Sequence, residues 1–303
     1  MKCVIENYSE NRQRGFLKKI RHLRSGFEKH PALQNYRECP FCRVEKDIFT
    51  ARRKDRILGW AALIFESGLS RAILDLFVFP PFRRSGIGKA LLAKAVYRAE
   101  ELCAGKIHVP VIEGNKPGKY FLQQHNFAPV KIFLEMETKA FLQNFFLPED
   151  MTVQSSYFSE AQRLADIQNR IFKGSWGFNP NSAEDIRFYK MTMGSAWEDI
   201  LWLKINGKTA GYIWTCPPGD SRKDNTGRIH MLGLLKESRG KGLARILISA
   251  GLSHLAGRGA NAVRLAVDED NQPALKLYRR LGFRTVHRIV WYEKAFPLSS
   301  RTE

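Results

Sequence analysis

The sequence contains no run of about 18 uncharged apolar residues, so it offers no candidate for a membrane-spanning helix. Its first residues, MKCVIENYSENRQRG, lack the apolar core of a signal peptide, and we therefore expect a cytoplasmic protein without a membrane partner. Cysteine is scarce, with five in 303 residues. An odd number of cysteines spread along a long chain does not indicate a disulfide framework.

Motifs for metal binding are equally sparse. Cys39-Pro40-Phe41-Cys42 is a lone CxxC, with neither a second CxxC nor a His-x-His cluster to complete a zinc site. An ordinary turn is the simpler interpretation, and half of a zinc site or a redox pair is the alternative. We therefore predict no metal and assign no role to Cys39 and Cys42.

Acidic residues are in deficit, because 49 Lys and Arg stand against 30 Asp and Glu and give a net charge of +19. Such an excess attracts anions, among them phosphorylated cofactors, nucleic acid and anionic lipid. The chain has no basic tail or RGG-like tract. Nucleic acid is therefore an open partner for which the sequence supplies charge but no motif.

What the sequence does contain is a glycine turn between a strand pattern and a helix pattern. The apolar run 229–235 predicts a buried strand, and 243–256 places apolar residues at helical spacing. The first NH groups of a helix lack internal partners, and glycine lets a ligand approach them closely, so the turn 239–244 suits a phosphate group. It is neither a GxGxxG nor a Walker motif. Near the end of this helix, His254 is expected to interact with the last carbonyl groups.

The same pattern occurs twice. In the first copy, an apolar run ending at Phe82 leads into the turn 83–88 and another helical run. The second copy follows by 156 residues, and the same spacing separates Asn115 from Asn271 and Phe127 from Phe283. A shared register of this length indicates a duplicated domain. We predict domains at 1–147 and 148–303, with the linker within 141–150.

Both copies carry a family pattern. Arg-x-x-Gly-x-Gly/Ala after a strand, followed in the second copy by Asn271-x-x-Ala274-x-x-Leu277-Tyr278-x-x-x-Gly282-Phe283, resembles the GNAT superfamily of acyl-CoA-dependent acetyltransferases. The tandem arrangement, FKGSWGFNP at 172–180 and VDEDNQPALKLYRRLGF at 267–283 are similar to mycothiol synthase and its relatives. The resemblance implies an α/β (α+β) fold of two tandem GNAT-type domains, each a mixed central sheet flanked by helices, with the C-terminal domain catalytic.

The resemblance also implies acetyl-CoA as cosubstrate. Its pyrophosphate would lie on the main chain of 240–245, and its pantetheine arm would run beside Leu234 where two parallel strands splay apart. The expected cofactor-binding residues of the C-terminal copy are Leu234, Leu235, Arg239, Gly240, Lys241, Gly242, Leu243, Ala244, Asn271 and Ala274. Those of the N-terminal copy are Val78, Arg83, Arg84, Ser85, Gly86, Ile87, Gly88 and Asn115.

Two residues are candidates for proton transfer. Tyr278 matches the acid of the family, and its alternative is a core aromatic on the apolar face of its helix. In the first copy the matching residue is Leu122, which cannot donate a proton. His230 is the candidate base, and its even spacing from Leu234 predicts that both side chains share one strand face. Arg228 stands where mycothiol synthases typically have Glu, which favours an acceptor with an anionic group.

Two functions of different classes compete. The leading hypothesis is an acetyl-CoA-dependent N-acetyltransferase whose C-terminal domain acetylates a primary amine of a small molecule or peptide by direct attack. The alternative is a non-catalytic acyl-CoA-sensing or nucleic-acid-associated protein built on the same domains. The sequence does not identify the amine acceptor.

Overall fold

The computed structural model describes residues 3–11, 13, 16–17, 37–140, 147–219 and 225–296, so most of the predicted linker, 141–146, lies outside the described residues. Each half of the chain contains both strands and helices. In the first half they are β1 (Val4–Asn7), α1 (Val44–Asp47), β2 (Ile48–Arg53), β3 (Arg56–Glu66), β4 (Arg71–Val78), α2 (Ile87–Glu101), β5 (Lys106–Ile112), α3 (Lys116–Gln123) and β6 (Ala128–Lys139). In the second half they are β7 (Met151–Ser155), α4 (Ala161–Phe172), α5 (Ala183–Met193), β8 (Ile200–Ile205), β9 (Lys208–Cys216), β10 (Thr226–Leu234), α6 (Leu243–Gly257), β11 (Ala262–Asp268), α7 (Gln272–Arg280) and β12 (Arg284–Ala295).

The chain divides into two compact units that do not follow the order of the sequence. Unit 1 comprises Met1–Lys131 and Val290–Glu303, and unit 2 comprises Ile132–Ile289. The reason lies in strand pairing, because β6 pairs antiparallel with β11 of the second repeat from Phe133 to Lys139. The end of β12 belongs to unit 1 in turn. The units therefore divide at 131/132 and 289/290, whereas the sequence placed one boundary at 147/148.

Each unit contains a mixed sheet. The strand order is β1-β2-β3-β4-β5 and then the end of β12 in unit 1, and β7-β8-β9-β10-β11-β6 in unit 2. Each sheet contains a parallel pair, which is β4 with β5 in unit 1 and β10 with β11 in unit 2. Helices lie on these sheets, so the predicted class, an α/β fold with a mixed central sheet flanked by helices in each domain, is confirmed.

The duplicated register is visible in the elements themselves. Helices α2 and α6 are both 15 residues long and begin at Ile87 and Leu243, 156 residues apart. Strands β5 and β11, and likewise β6 and β12, have matching bounds at the same spacing. Each residue of one unit's site can therefore be compared with a defined counterpart in the other.

Helix α6 forms the centre of the core of unit 2. Its apolar side chains recur at helical spacing, and Leu243, Leu247, Ile248 and Leu255 are buried against the sheet. Each such side chain contributes about 1.5–3 kcal/mol through removal from water. The helix lies so close to β9 that a Cβ on Gly251 would meet Ile213 Cδ1 at 2.5 Å. This packing fixes the start of α6, and with it the turn, relative to the end of β10.

Candidate functional site

The glycine turn of unit 2 has the geometry of an anion cradle. After β10 ends at Leu234, one 3-10 turn (Lys236–Ser238) leads to Gly240 and Gly242, whose φ angles are +77° and +75°. A Cβ on either glycine would meet no atom within 4 Å, so the main chain faces open space there. Helix α6 begins at Leu243, and its first NH groups lie at this opening.

A pocket of about 300 Å³ opens at this cradle. Of the residues predicted to bind the cofactor, it is lined by Leu234, Gly240, Gly242, Leu243 and Ala244. Arg245, whose main chain belongs to the predicted pyrophosphate site 240–245, also lines it, and three further lining residues were not predicted: Leu277, Arg280 and Leu281. The two arginines supply positive charge next to the NH groups, and the leucines supply an apolar wall. The pocket therefore fits a ligand with phosphate groups and an apolar portion.

Other predicted cofactor residues have structural contacts in the turn. Arg239 donates from Nε to Leu234 O at 3.1 Å and from Nη2 to Ile171 O at 3.1 Å, which ties the turn to the ends of β10 and α4. Leu235 is buried and donates its NH to Ala210 O at 2.9 Å. Lys241 is exposed at the tip of the turn.

Asn271 is a helix cap. Its side chain accepts a hydrogen bond from Ala274 N at 3.2 Å, one turn into α7. Asn115 caps α3 in the same way, by accepting from Gly118 N at 3.0 Å. Pro follows at the second helical position in both cases, so Asn-x-Pro was a local signal for a cap. Asn271, Ala274 and Asn115 are thus assigned to helix capping by the observed contacts.

The sheet opens beside the pocket. β10 and β11 pair only at Thr226↔Ala262, Gly227↔Val263 and Arg228↔Arg264, and beyond these residues they no longer pair. We call this gap, between 229–234 of β10 and 265–268 of β11, the fork. Parallel strands that separate leave main-chain groups available to an extended ligand, as the cofactor hypothesis required.

Tyr278 lies on α7, directly after the pocket residue Leu277 and two residues before Arg280. Its side chain is buried in the core of unit 2, and its ring packs at 5.6 Å from that of Phe283. Burial raises the pKa of Tyr278 to about 12. The phenol therefore keeps its proton at neutral pH, which suits a proton donor and excludes a resting phenolate. Tyr278 is thus a core aromatic, as one of the two interpretations from the sequence expected, and its role as an acid stays a prediction.

His230 lies at a β-bulge. The register of β10 against β9 shifts between Ile229, opposite Thr215, and Met231, opposite Trp214, so His230 is the extra residue. Its ring meets the ring of Trp214 edge to face at 5.0 Å. The indole of Trp214 donates to Ser195 Oγ, just after α5, which identifies this as the sheet face covered by α4 and α5.

The prediction that His230 and Leu234 share one strand face is therefore wrong. Leu234 packs with the α6 core on the opposite face of the sheet. The bulge is the physical reason, because one inserted residue reverses the alternation of side chains along a strand. The two faces nevertheless meet at the fork, since the strands are unpaired there.

Unit 1 has the same scaffold with different side chains. Gly86 has a φ of +81° and faces open space, Arg83 Nε donates to Val78 O at 3.0 Å, and Ser85 Oγ donates to Phe82 O at 2.6 Å. Ile87 begins α2 and is buried. A Cβ added to Gly88 would lie 3.5 Å from the ring of Phe121. Arg84 adopts a φ of +62° where unit 2 has Gly240.

The counterparts of the two proton-transfer candidates differ in unit 1. At 156 residues before Tyr278 and His230, unit 1 has the buried residues Leu122 and Leu74.

Several absences apply within the described ranges. No group of three or more His, Cys, Asp or Glu side chains is arranged there to hold a metal ion. Cys39 and Cys42 are both buried, with Cys42 N donating to Cys39 O at 3.3 Å, and burial raises the pKa of the Cys42 thiol well above its usual range. No helix of the described part of the chain is long and apolar enough to cross a bilayer.

A mixed sheet with a fork, a glycine cradle at a helix start and a pocket at that cradle together suit a ligand with phosphate groups and an extended portion. The sequence pattern of the Acetyltransferase (GNAT) family matches residues 16–127 and 161–283, more than half of the chain. The chain therefore belongs to the GNAT acetyltransferase family and is an acyl-CoA N-acyltransferase.

Within this family the chain is similar to mycothiol acetyltransferases. It is 30% identical to that of Geodermatophilus obscurus over 254 residues, which cover 78% of this chain and 79% of the relative. It is 29% identical to that of Thermomonospora curvata, with 80% of each chain covered. Among solved structures, a tandem GNAT protein from the clavulanic acid biosynthesis pathway has a TM-score of 0.75 at 17% identity and covers 97% of this chain and 98% of its own. This last likeness shows the tandem fold.

Proposed function

We propose that unit 2 transfers the acetyl group of acetyl-CoA to a primary amine by direct attack. The observation that carries this proposal is the coincidence of the 300 Å³ pocket, the open glycine cradle and the fork in unit 2. The cradle and the two pocket arginines would hold the phosphate groups, and the fork would receive the pantetheine arm.

Tyr278 belongs to the core on the α6 face of the sheet, and His230 lies on the face of α4 and α5. In our proposal the amine lies on the face of α4 and α5, where His230 accepts its proton directly or through water. The neutral amine nitrogen then forms a bond to the thioester carbonyl carbon, which becomes tetrahedral, and the second proton that the nitrogen must lose passes to water. When the C–S bond breaks, the sulfur leaves with the electron pair and takes a proton from Tyr278.

A covalent acetyl-enzyme is not part of this proposal. Cys216 is the only cysteine after residue 103, and it is buried with its Sγ 3.8 Å from Met193 Sδ. A thioether is no general base, so this contact does not activate the thiol.

The test is a screen of primary amines with acetyl-CoA in which thiol release and the acetylated amine are both measured. We expect stoichiometric release of CoA and product, and no acetylated protein in a single turnover without amine. We also expect His230→Leu, which installs the residue of unit 1, to lower kcat by about 10²- to 10⁴-fold. Detection of a kinetically competent acetyl-enzyme, or full activity of His230→Leu, would contradict the mechanism.

A further inference from the structure

An ion pair lies at the base of the fork in unit 2. Arg228 is the last residue of β10 that pairs with β11, and its Nη2 is 3.5 Å from Glu135 Oε1 on β6. The Glu135 side chain is 2% exposed, and burial raises the pKa of its carboxyl group although Arg228 opposes that effect. His287 Nε2 lies 4.0 Å from the other carboxylate oxygen.

The fold itself does not require this pair, as the internal repeat shows. A neighbouring pair, Arg264 with Glu137 at 2.5 Å, has a counterpart in unit 1, where His108 Nε2 lies 2.7 Å from Glu293. At the positions of Arg228 and Glu135, in contrast, unit 1 has Ala72 and Trp291. The same scaffold thus forms with apolar residues at these two positions.

The free energy of a buried ion pair also argues against a role in stability. Removing two charges from water costs about as much as their attraction returns, and well-packed apolar residues at such positions are often equally or more stabilising. A stability role is therefore a weak explanation for Arg228 and Glu135. Both charges occur in the unit that also has His230 and Tyr278, where unit 1 has leucines.

Arg228 is placed to meet the acceptor. It lies opposite Cys216, whose Sγ contacts Met193 of α5, so its side chain is on the same sheet face as His230. Two residues along a strand correspond to about 7 Å, which is within the span of a small molecule. The Arg228 side chain is 25% exposed, so solvent reaches the guanidinium while Glu135 anchors it from the buried side.

We propose that Arg228 binds an anionic group of the acceptor, so that unit 2 acetylates amines that also carry an oxyanion such as a carboxylate. This inference rests on the proposed function of unit 2. A guanidinium presents several N–H donors in one plane, in a geometry that matches the oxygens of a carboxylate or phosphate. Glu135 is the positioning residue, because its carboxylate holds the Arg228 guanidinium in place on the sheet face where His230 lies. The amine of the same molecule would then lie beside His230.

The experiment compares matched amines that differ only in the anion. L-Amino acids, the corresponding amides and the corresponding 1-aminoalkylphosphonates are each offered with acetyl-CoA, and kcat/KM is measured from thiol release. We expect the anionic members to exceed the amides by about 10- to 100-fold, the range of a hydrogen-bonded charge pair. The phosphonate arm shows whether the site prefers a carboxylate or a phosphate-like oxyanion.

Variants then locate the preference. Arg228→Ala combined with Glu135→Gln removes both charges, so no uncompensated carboxylate stays buried, and should reduce the ratio of anionic to neutral acceptors to about one while turnover of the amides continues. Arg279→Ala is the matched control, because it removes one exposed charge of the same unit on α7 and should leave the ratio unchanged.

The outcomes separate this inference from the proposed function. Transfer without a preference for anionic amines in the wild-type protein would overturn the inference alone, and so would a preference that survives in the double variant. The wild-type comparison does not depend on any variant being folded. Absence of transfer to every amine in the panel would overturn the proposed function, and the inference with it.

Discussion

Substitution of Gly242 by Ala separates the cost of backbone strain from the loss of the cradle. Gly242 has a φ of +75°, and the left-handed conformation costs a residue with a Cβ about 1–2 kcal/mol. The added methyl group would meet no protein atom within 4 Å, so no clash adds to this cost. For a domain of this size we expect a Tm lower by about 2–8 °C.

The same methyl group would stand in the opening where the phosphate groups are proposed to bind. Loss of close approach to the main chain should cost one or two charge-assisted hydrogen bonds, each about 1.5–3 kcal/mol, so KM for acetyl-CoA should rise at least about tenfold. Steady-state thiol release at varied acetyl-CoA measures this effect, and calorimetry measures the change in Tm.

Gly259 provides the matched control. It has a φ of +82°, a Cβ there would also meet nothing within 4 Å, and it lies in the turn after α6, away from the residues that line the pocket. Gly259→Ala should therefore lower Tm by a similar amount and leave KM unchanged. An unchanged KM in Gly242→Ala, or an equal rise in Gly259→Ala, would refute the assignment of the cradle.

Three further predictions concern stability. Burial raises the pKa of Tyr278 to about 12, whereas the phenol of the unfolded chain ionises near pH 10. Between pH 8 and pH 10.5 the free energy of unfolding of the wild-type protein should therefore fall by about 1 kcal/mol more than that of Tyr278→Phe. Urea unfolding at the two pH values measures this difference, and equal losses in the two proteins would contradict it. Asn271→Ala and Asn115→Ala should each lower the free energy of unfolding by about 0.5–2 kcal/mol, because each removes a helix cap. KM for acetyl-CoA should stay within about twofold of the wild-type value, and a large rise in KM would instead favour a cofactor contact. Gly211→Ala should cost about 2–4 kcal/mol because its Cβ would be 2.4 Å from Gly233 O, whereas Gly257→Ala, which meets nothing, should not destabilise the protein.

Local patterns in the sequence were sufficient for the elements that build the cradle. The predicted helix 243–256 is observed as Leu243–Gly257, and the predicted strand 229–235 overlaps the observed strand Thr226–Leu234. Apolar periodicity decides both features within a few residues of chain. The 156-residue register then carried the same interpretation to the first repeat.

Features that depend on distant residues escaped prediction. Pairing of β6 with β11 joins residues more than 120 positions apart, and no local pattern distinguishes it from pairing within the first repeat. The bulge that places His230 on the face of α4 and α5, opposite to Leu234, depends on how β10 pairs with β9. His254, expected at the helix carbonyls, places its Nε2 2.8 Å from Asp199, a buried carboxylate 55 residues earlier.

The central claim is that unit 2 performs the chemistry, and kcat of Tyr278→Phe measured against Tyr120→Phe tests it most directly. Both changes remove one hydroxyl group, and Tyr120 lies exposed on α3 of unit 1, two residues from Leu122, the counterpart of Tyr278. The account predicts a fall of about 10²- to 10⁴-fold in kcat for Tyr278→Phe and no change for Tyr120→Phe. Unchanged turnover in folded Tyr278→Phe, or a comparable loss in Tyr120→Phe, would contradict it.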